Sequence, residues 1–127
     1  MTPADPCLVL PTSISPDPYV HVVRDPSGGI TGVRHRREGD AMPPVGVNDA
    51  GVFDMSQQTY LDWLPQYALA PQIGARTGER NFVPFVAWVA RRGPVVTIPC
   101  VDAEEAIGIN TPEELAAVET YLGQRAE

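Results

Sequence analysis

The stretch Gly108-Ile109-Asn110-Thr111-Pro112-Glu113-Glu114-Leu115 constrains the fold more tightly than any other part of the chain. Thr111 is an N-cap whose hydroxyl can accept from the amide of Glu114, and Glu114 can reach back to the amide of Thr111. Pro112 occupies the first helical position, where a missing N–H costs nothing. Glu113 and Glu114 favour the positive end of the helix dipole. Leu115, Val118 and Leu122, with Tyr121 beside them, recur at helical spacing. The pattern predicts a helix starting at Thr111, with Asn110 in the turn before it. Two readings of Asn110 are open. It is a turn residue beside a cap, or its amide oxygen is a hard donor at a strand-to-helix junction, suited to Mg²⁺.

Upstream, Cys7 to Ile14 is a β-rich run broken by Pro11, which predicts an edge or bulged strand. Tyr19 to Asp25 and Ile30 to His35 read as two strands joined by the turn Pro26-Ser27-Gly28-Gly29. With Asp25 opposite Ile30, Val22 faces Val33 and Val20 faces His35. Arg34 to Pro44 is a polar loop, and Val47 to Phe53 the next strand. Ser56 to Leu64 reads as a short helix with Tyr60, Leu61 and Leu64 inward, its regular part ended by Pro65. Ala70 to Arg80 is a loop. Asn81 can cap a helix from Phe82 to Arg92, closed by Gly93-Pro94. Val95 to Val101 has the apolar character of a buried strand, and Ala103 to Ile107 is a connector. Trp63 and Trp88 fall on helices as packing residues.

The Asn110 segment resembles the C-terminal signature of nucleotidyltransferases that join a nucleotide to a sugar phosphate or a related phosphate. N-acetylglucosamine-1-phosphate uridylyltransferases and molybdenum-cofactor guanylyltransferases are branches of that family. Four further stretches are similar to the family in the same order. Asp17 to Asp25 looks like its Gly-Tyr-Gly-Arg strand, and Gly28 to Val33 like the return strand. Asn48 to Phe53 is similar to its Asn-Thr-Gly-Ile-Tyr strand, and Thr77 to Phe82 to its Gly-Glu-aromatic loop. The resemblance covers nearly the whole chain. It implies an α/β fold: the C-terminal part of a Rossmann-like GT-A domain, with a mixed β-sheet, flanking helices and a β-hairpin. Nothing here resembles the family's Gly-rich, basic triphosphate loop or its metal-binding Asp. The chain also contains no lysine. Residues 1–127 are thus expected to form a partial domain lacking the nucleotide-binding half.

By the same resemblance, Asn110 becomes a Mg²⁺ ligand, completed by the missing half. Val20 stands where the family has a glycine that lets the backbone approach the sugar, and a branched side chain blocks that approach. His35 stands where a Glu holds sugar hydroxyls, a role an imidazole cannot copy. His35 is otherwise an exposed strand-end histidine. Asn48 and Asp49 compete for the sugar-contacting Asn. With Ala50-Gly51 as the small pair, Asp49 aligns better, and both are otherwise turn residues. Glu79 follows Gly78 where the family places a Glu near the substrate, and is otherwise a solvated loop charge. No residue is assigned a catalytic role. Arg34, Arg36 and Arg37 form a basic run that is a solvated loop or a phosphate contact. Asp102, Glu104 and Glu105 read as surface charge, and His21 has no assigned role.

At 127 residues the chain allows one domain at most. The net charge of −7 argues against nucleic-acid binding. No segment approaches a membrane span, and no leader is visible at the N-terminus. Cys7 and Cys100 lack metal-type spacing and read as reduced thiols of a cytoplasmic protein. A half-domain exposes sheet that its other half should cover, which implies a protein partner or self-association. Two functions follow. One is a split or truncated enzyme, inactive alone. In the complete enzyme a sugar phosphate or related phosphate attacks the α-phosphorus of a nucleoside triphosphate and pyrophosphate leaves. The other is a non-catalytic module that docks on a partner protein.

Overall fold

The computed structural model describes residues 5–126. Residues 1–4, part of the stretch read as lacking a leader, and Glu127 lie outside the described residues. The fold is mixed α/β: a four-stranded mixed sheet, a separate two-stranded hairpin, and flanking helices. Strand β1, Leu8–Pro16, runs through the middle of the sheet. On one side it pairs antiparallel with β4, Val45–Asp49, and with the short β5, Asp54–Met55. On the other side it pairs in parallel with β6, Val95–Pro99.

Pro11 predicted an edge or bulged strand; β1 is central, with an irregular ladder beside the proline. The Pro11 carbonyl accepts from the Ala50 amide at 3.0 Å, so the proline nitrogen also faces the β4–β5 side. That side is where the ladder is interrupted between Asp49 and Asp54. The missing donor therefore falls in a gap and costs no ladder bond. The gap also corrects the expectation of one strand from Val47 to Phe53. Gly51 turns with φ of 75°, and Asp49 Oδ2 accepts from its amide at 2.9 Å.

The hairpin consists of β2, Val20–Arg24, and β3, Ile30–His35. Val20 faces His35 and Val22 faces Val33 as the alternation predicted, while Ile30 faces Arg24 rather than Asp25. Asp25 instead organises the turn. Its Oδ1 accepts from the Ser27 hydroxyl and from the amides of Ser27 and Gly29. The Ser27 hydroxyl first, then the turn amides, hold its carboxyl below the ordinary range.

His21 joins hairpin to sheet. Its Nδ1 accepts from the Val47 amide at 3.0 Å, which requires a neutral imidazole with its proton on Nε2. Burial lowers its pKa below the ordinary 6.5, with the Arg34 charge adding to this. Gly46 permits the approach, because a Cβ there would lie 2.7 Å from His21 Nδ1.

Three helices flank the strands. A wide π turn, Thr59–Trp63, runs into α1, Leu64–Leu69. Pro65 does not end this helix as expected. The Leu64 amide bonds to the Thr59 carbonyl five residues back, and the wide turn accommodates a proline that can neither donate nor approach its upstream carbonyl. The changed turn also swings Tyr60 and Leu61 outward, while Thr59 and Tyr67 are buried. Helix α2, Phe85–Ala90, starts three residues later than the sequence suggested, with Pro84 at its N-cap. Asn81 does not cap it.

The core joins Leu8 and Leu10 of β1, Val22 and Ile30 of the hairpin, Tyr67 of α1, and Phe85, Val86 and Val89 of α2. Phe85 is fully buried at the centre of an aromatic cluster. Its ring lies 5.2 Å from Tyr67, 5.8 Å from Phe82 and 5.6 Å from Trp88. Trp63 and Trp88 pack edge to face at 6.3 Å, so both are packing residues as expected. Cys7 and Cys100 are free thiols.

Helix α3, Pro112–Arg125, begins where the capping pattern placed it. Thr111 Oγ1 accepts from the Glu114 amide at 3.1 Å. Glu114 reaches back one residue further than expected, to the Asn110 amide at 3.1 Å. Within the described residues α3 buries no side chain, so its apolar stripe is not a core stripe here. It is tied down by polar contacts. The Tyr121 hydroxyl donates to Asp102 at 3.1 Å, and Arg125 lies 3.6 Å from Asp102 and 3.9 Å from Glu105. Strand β6 is likewise not buried as its sequence suggested. Val96, Ile98 and the following Val101 are exposed. No described helix is long and apolar enough to cross a membrane.

Two outcomes test this packing. Phe85→Ala should destabilise the fold by about 3–5 kcal/mol, seen as a lower urea midpoint with little change in slope. Stability should also fall as the pH drops below 6.5, because His21 binds its proton more weakly folded than unfolded. His21→Leu should flatten that limb of the pH–stability curve.

Candidate functional site

A cavity of about 560 Å³ opens where five separated segments meet. This is within the usual range for small-molecule sites, roughly 300–1,000 Å³. Tyr19 and Val20 contribute the start of β2, and His35 and Arg37 the end of the hairpin. Residues 48–51 bring the end of β4 and its turn. Asn81, Phe82 and Val83 lead into α2, and the loop before α3 supplies Ala106 to Gly108 and Asn110. Each contribution comes from an element end. Regular ladders leave their terminal backbone groups and side chains free to face a ligand.

Of the five residues singled out in the sequence, Val20, His35, Asp49 and Asn110 line this cavity. Glu79 does not. It sits in the loop beyond the wall, and its Oε1 pairs with Arg37 at 3.2 Å. Val20 and His35 are directly opposite each other in the hairpin. Asp49 and Asn48 are both on the wall, and Asp49 holds the Gly51 turn with one carboxylate oxygen. Asn48 also borders a smaller neighbouring cavity of about 120 Å³. Asn110 is exposed, with its amide fastened to Glu114.

His35 is not the exposed strand-end histidine of the alternative reading. It is half-buried, and its Nε2 is buried without a hydrogen-bond partner among the described residues. Its backbone is fixed by Asp40, whose Oδ2 accepts from the His35 amide at 2.8 Å.

Glu38, beside it, is the residue that sequence reasoning missed. It lies in the 3₁₀ turn Arg36–Glu38 and is buried. Its Oε1 accepts from the Thr77 amide at 3.0 Å and its Oε2 from Asn81 Nδ2 at 3.4 Å. Burial opposes its charge. The hydrogen bonds from Thr77 and Asn81, with the nearby His35, outweigh burial and hold the carboxyl below its ordinary 4.5. Gly74 packs against this carboxylate so closely that a Cβ would lie 1.5 Å from Oε2. Asn81, expected to cap a helix, instead spans two partners: its amide reaches Glu38 and its carbonyl accepts from the Tyr67 hydroxyl at 2.6 Å. Glu38 thus ties the loop 74–81 to the hairpin and sets one wall of the cavity. The Glu-Gly pair at 38–39, where Gly39 has φ of 83°, was the available signal. It reads as a tight turn but says nothing of burial.

Mg²⁺ leans on one or two carboxylates and near-octahedral oxygen geometry. Among the described residues no three His, Cys, Asp or Glu side chains converge, and Asn110 offers one amide oxygen. The acidic group Asp102, Glu104 and Glu105 faces α3, where Asp102 and Glu105 pair with Arg125. Chemically, the cavity offers amide groups, a guanidinium and a partly apolar floor. That set suits a small polar ligand with hydroxyls and an anionic group.

The Glu38 tie should be present above pH 4.5 and weaken progressively below it, because folding lowers that carboxyl's pKa. The protection factor of the Thr77 amide against hydrogen exchange should fall over the same range. Gly74→Ala should lower it at neutral pH by forcing Glu38 out.

Comparison with known proteins finds no protein-family model that matches the chain and no matching curated protein.

Proposed function

We propose that this chain is the acceptor-binding part of a nucleotidyltransferase, built as the C-terminal part of a Rossmann-like GT-A domain. One observation carries the reading. Asp49 and Asn110, from two separate stretches of sequence resemblance, line a single cavity with Val20 and His35, which stand at the family's sugar-contacting positions. Core packing has no need to gather those four positions around an opening. The mixed sheet and the hairpin across its end are compatible with such a domain.

The acceptor is a sugar phosphate or a related phosphate. In the complete enzyme, an oxygen of its phosphate attacks the α-phosphorus of a nucleoside triphosphate in line, the α–β bridge bond breaks, and pyrophosphate leaves. This chain's part is to bind and orient. Asn48 and Asn110 present amides for hydroxyls. Phe82 and Val20 supply apolar surface against a ring face and displace water. Orientation of this kind lowers the barrier by removing the entropy of encounter. Val20 narrows the approach to the backbone, so the acceptor is held differently from a sugar resting on a glycine. The triphosphate-binding half comes from elsewhere, and the chain alone is inactive.

A second reading, a docking module on a partner protein, is favoured by the apolar side chains that β1, β6 and the segment after β6 leave exposed. These are Ile14, Val96, Ile98 and Val101.

Immunocapture from cell extract with an antibody against residues 111–126 separates the two. The enzyme reading expects a species heavier than the chain's 13.7 kDa. That species should release pyrophosphate from a nucleoside triphosphate only when a sugar phosphate is added. Asn110→Ala should abolish the release while leaving the assembly intact. A heavier species with no acceptor-dependent release from any sugar phosphate supports the docking module instead.

A further inference from the structure

Arg37 differs from its neighbours in what holds it. Arg34 donates to the Ala41 carbonyl at 2.9 Å. Arg36 donates to the Asp17 carbonyl and lies over the Tyr19 ring at 5.0 Å. Arg37 lines the cavity, and its partner is the Glu79 carboxylate, bonded through one nitrogen at 3.2 Å. Both side chains of this pair are largely exposed, 66% and 55%. An exposed ion pair of that kind is weak and is screened by salt. A guanidinium held through a single nitrogen keeps most of its donors for another anion, and its planar fork matches two phosphate oxygens at once. The other acidic groups near the cavity are less available to compete. Asp49 holds the Gly51 turn, and Glu38 is fastened to Thr77 and Asn81.

We infer that Arg37 binds the phosphate monoester of the cavity's ligand, and that Glu79 is a resident counter-ion which this phosphate displaces. The inference rests on the cavity being an acceptor site. It changes the role of Glu79 from a substrate contact to a latch. Without ligand, Glu79 neutralises Arg37 and joins the loop 74–81 to the hairpin across the cavity's rim. When phosphate binds, the carboxylate is released to solvent and the ion pair is exchanged for a bidentate one.

Isotope-labelled chain is titrated with glucose 1-phosphate, inorganic phosphate and glucose, and amide shifts are followed by NMR. Glucose 1-phosphate should move the signals of residues 48–51, 106–110 and Arg37, and it should bind more tightly than glucose. Arg37→Gln should weaken its binding by roughly tenfold to a hundredfold, the equivalent of a lost hydrogen bond to a charged group. Glu79→Gln should tighten it by up to about fivefold, the equivalent of an exposed ion pair removed from competition. Inorganic phosphate should show the same order among the variants. If glucose 1-phosphate moves the cavity signals equally in the wild type and in Arg37→Gln, the inference is overturned while the acceptor-site reading stands. If all three probes leave those signals unmoved, both fall.

Discussion

Every other strand of the main sheet is hydrogen-bonded to β1. The strand must satisfy ladders on both sides while containing a proline, and it does so by placing Pro11 opposite the break between β4 and β5. That break is also what lets residues 50–53 leave the sheet, and residues 48–51 form one wall of the cavity. The same strand contributes Leu8 and Leu10 to the core against which α2 packs. A change in the register of β1 would reverse the faces of its side chains and disturb both the core and the cavity wall.

The hairpin is a second sheet, and the polar contacts of His21 and Glu38 are among those that position it. At one side, His21 accepts from β4 across Gly46. At the far end, Glu38 takes the loop 74–81 by its Thr77 amide. Both are buried or half-buried groups with a charge state chosen by their surroundings, a neutral imidazole and an ionised carboxylate. Geometry at the cavity therefore depends on protonation at sites that the ligand need not touch. Apolar packing through Val22, Ile30 and Phe85 sets the distance between hairpin and α2, while these polar contacts set its orientation.

Local rules made some of the site legible. The hairpin register follows from alternation and a tight turn, so the sequence alone opposes Val20 and His35. Thr111 as the cap of α3 follows from side-chain chemistry within four residues. The failures share a cause. Asn81 had the right side chain for a cap, but Glu38 takes its amide from far along the chain. Pro65 was read as a terminator, and the helix absorbed it by widening one turn. Val95 to Val101 has the composition of a buried strand, yet burial depends on what lies alongside, and among the described residues Ile98 and Val101 remain exposed. The stripe on α3 fails for the same reason.

What the amino-acid sequence determined by itself was local: where α3 begins, which residues of the hairpin oppose each other, and which positions carry groups able to bind hydroxyls or phosphate. Each depends on contacts within a few residues, where propensity and capping chemistry act. Tertiary structure alone decided that Val20, His35, Asp49 and Asn110 face one opening, that Glu79 pairs with Arg37 instead of lining it, and that Glu38 is buried. Those outcomes join residues about 40 positions or more apart in several cases, as chain closure must do. No short-range pattern encodes which distant partner will take a given carboxylate.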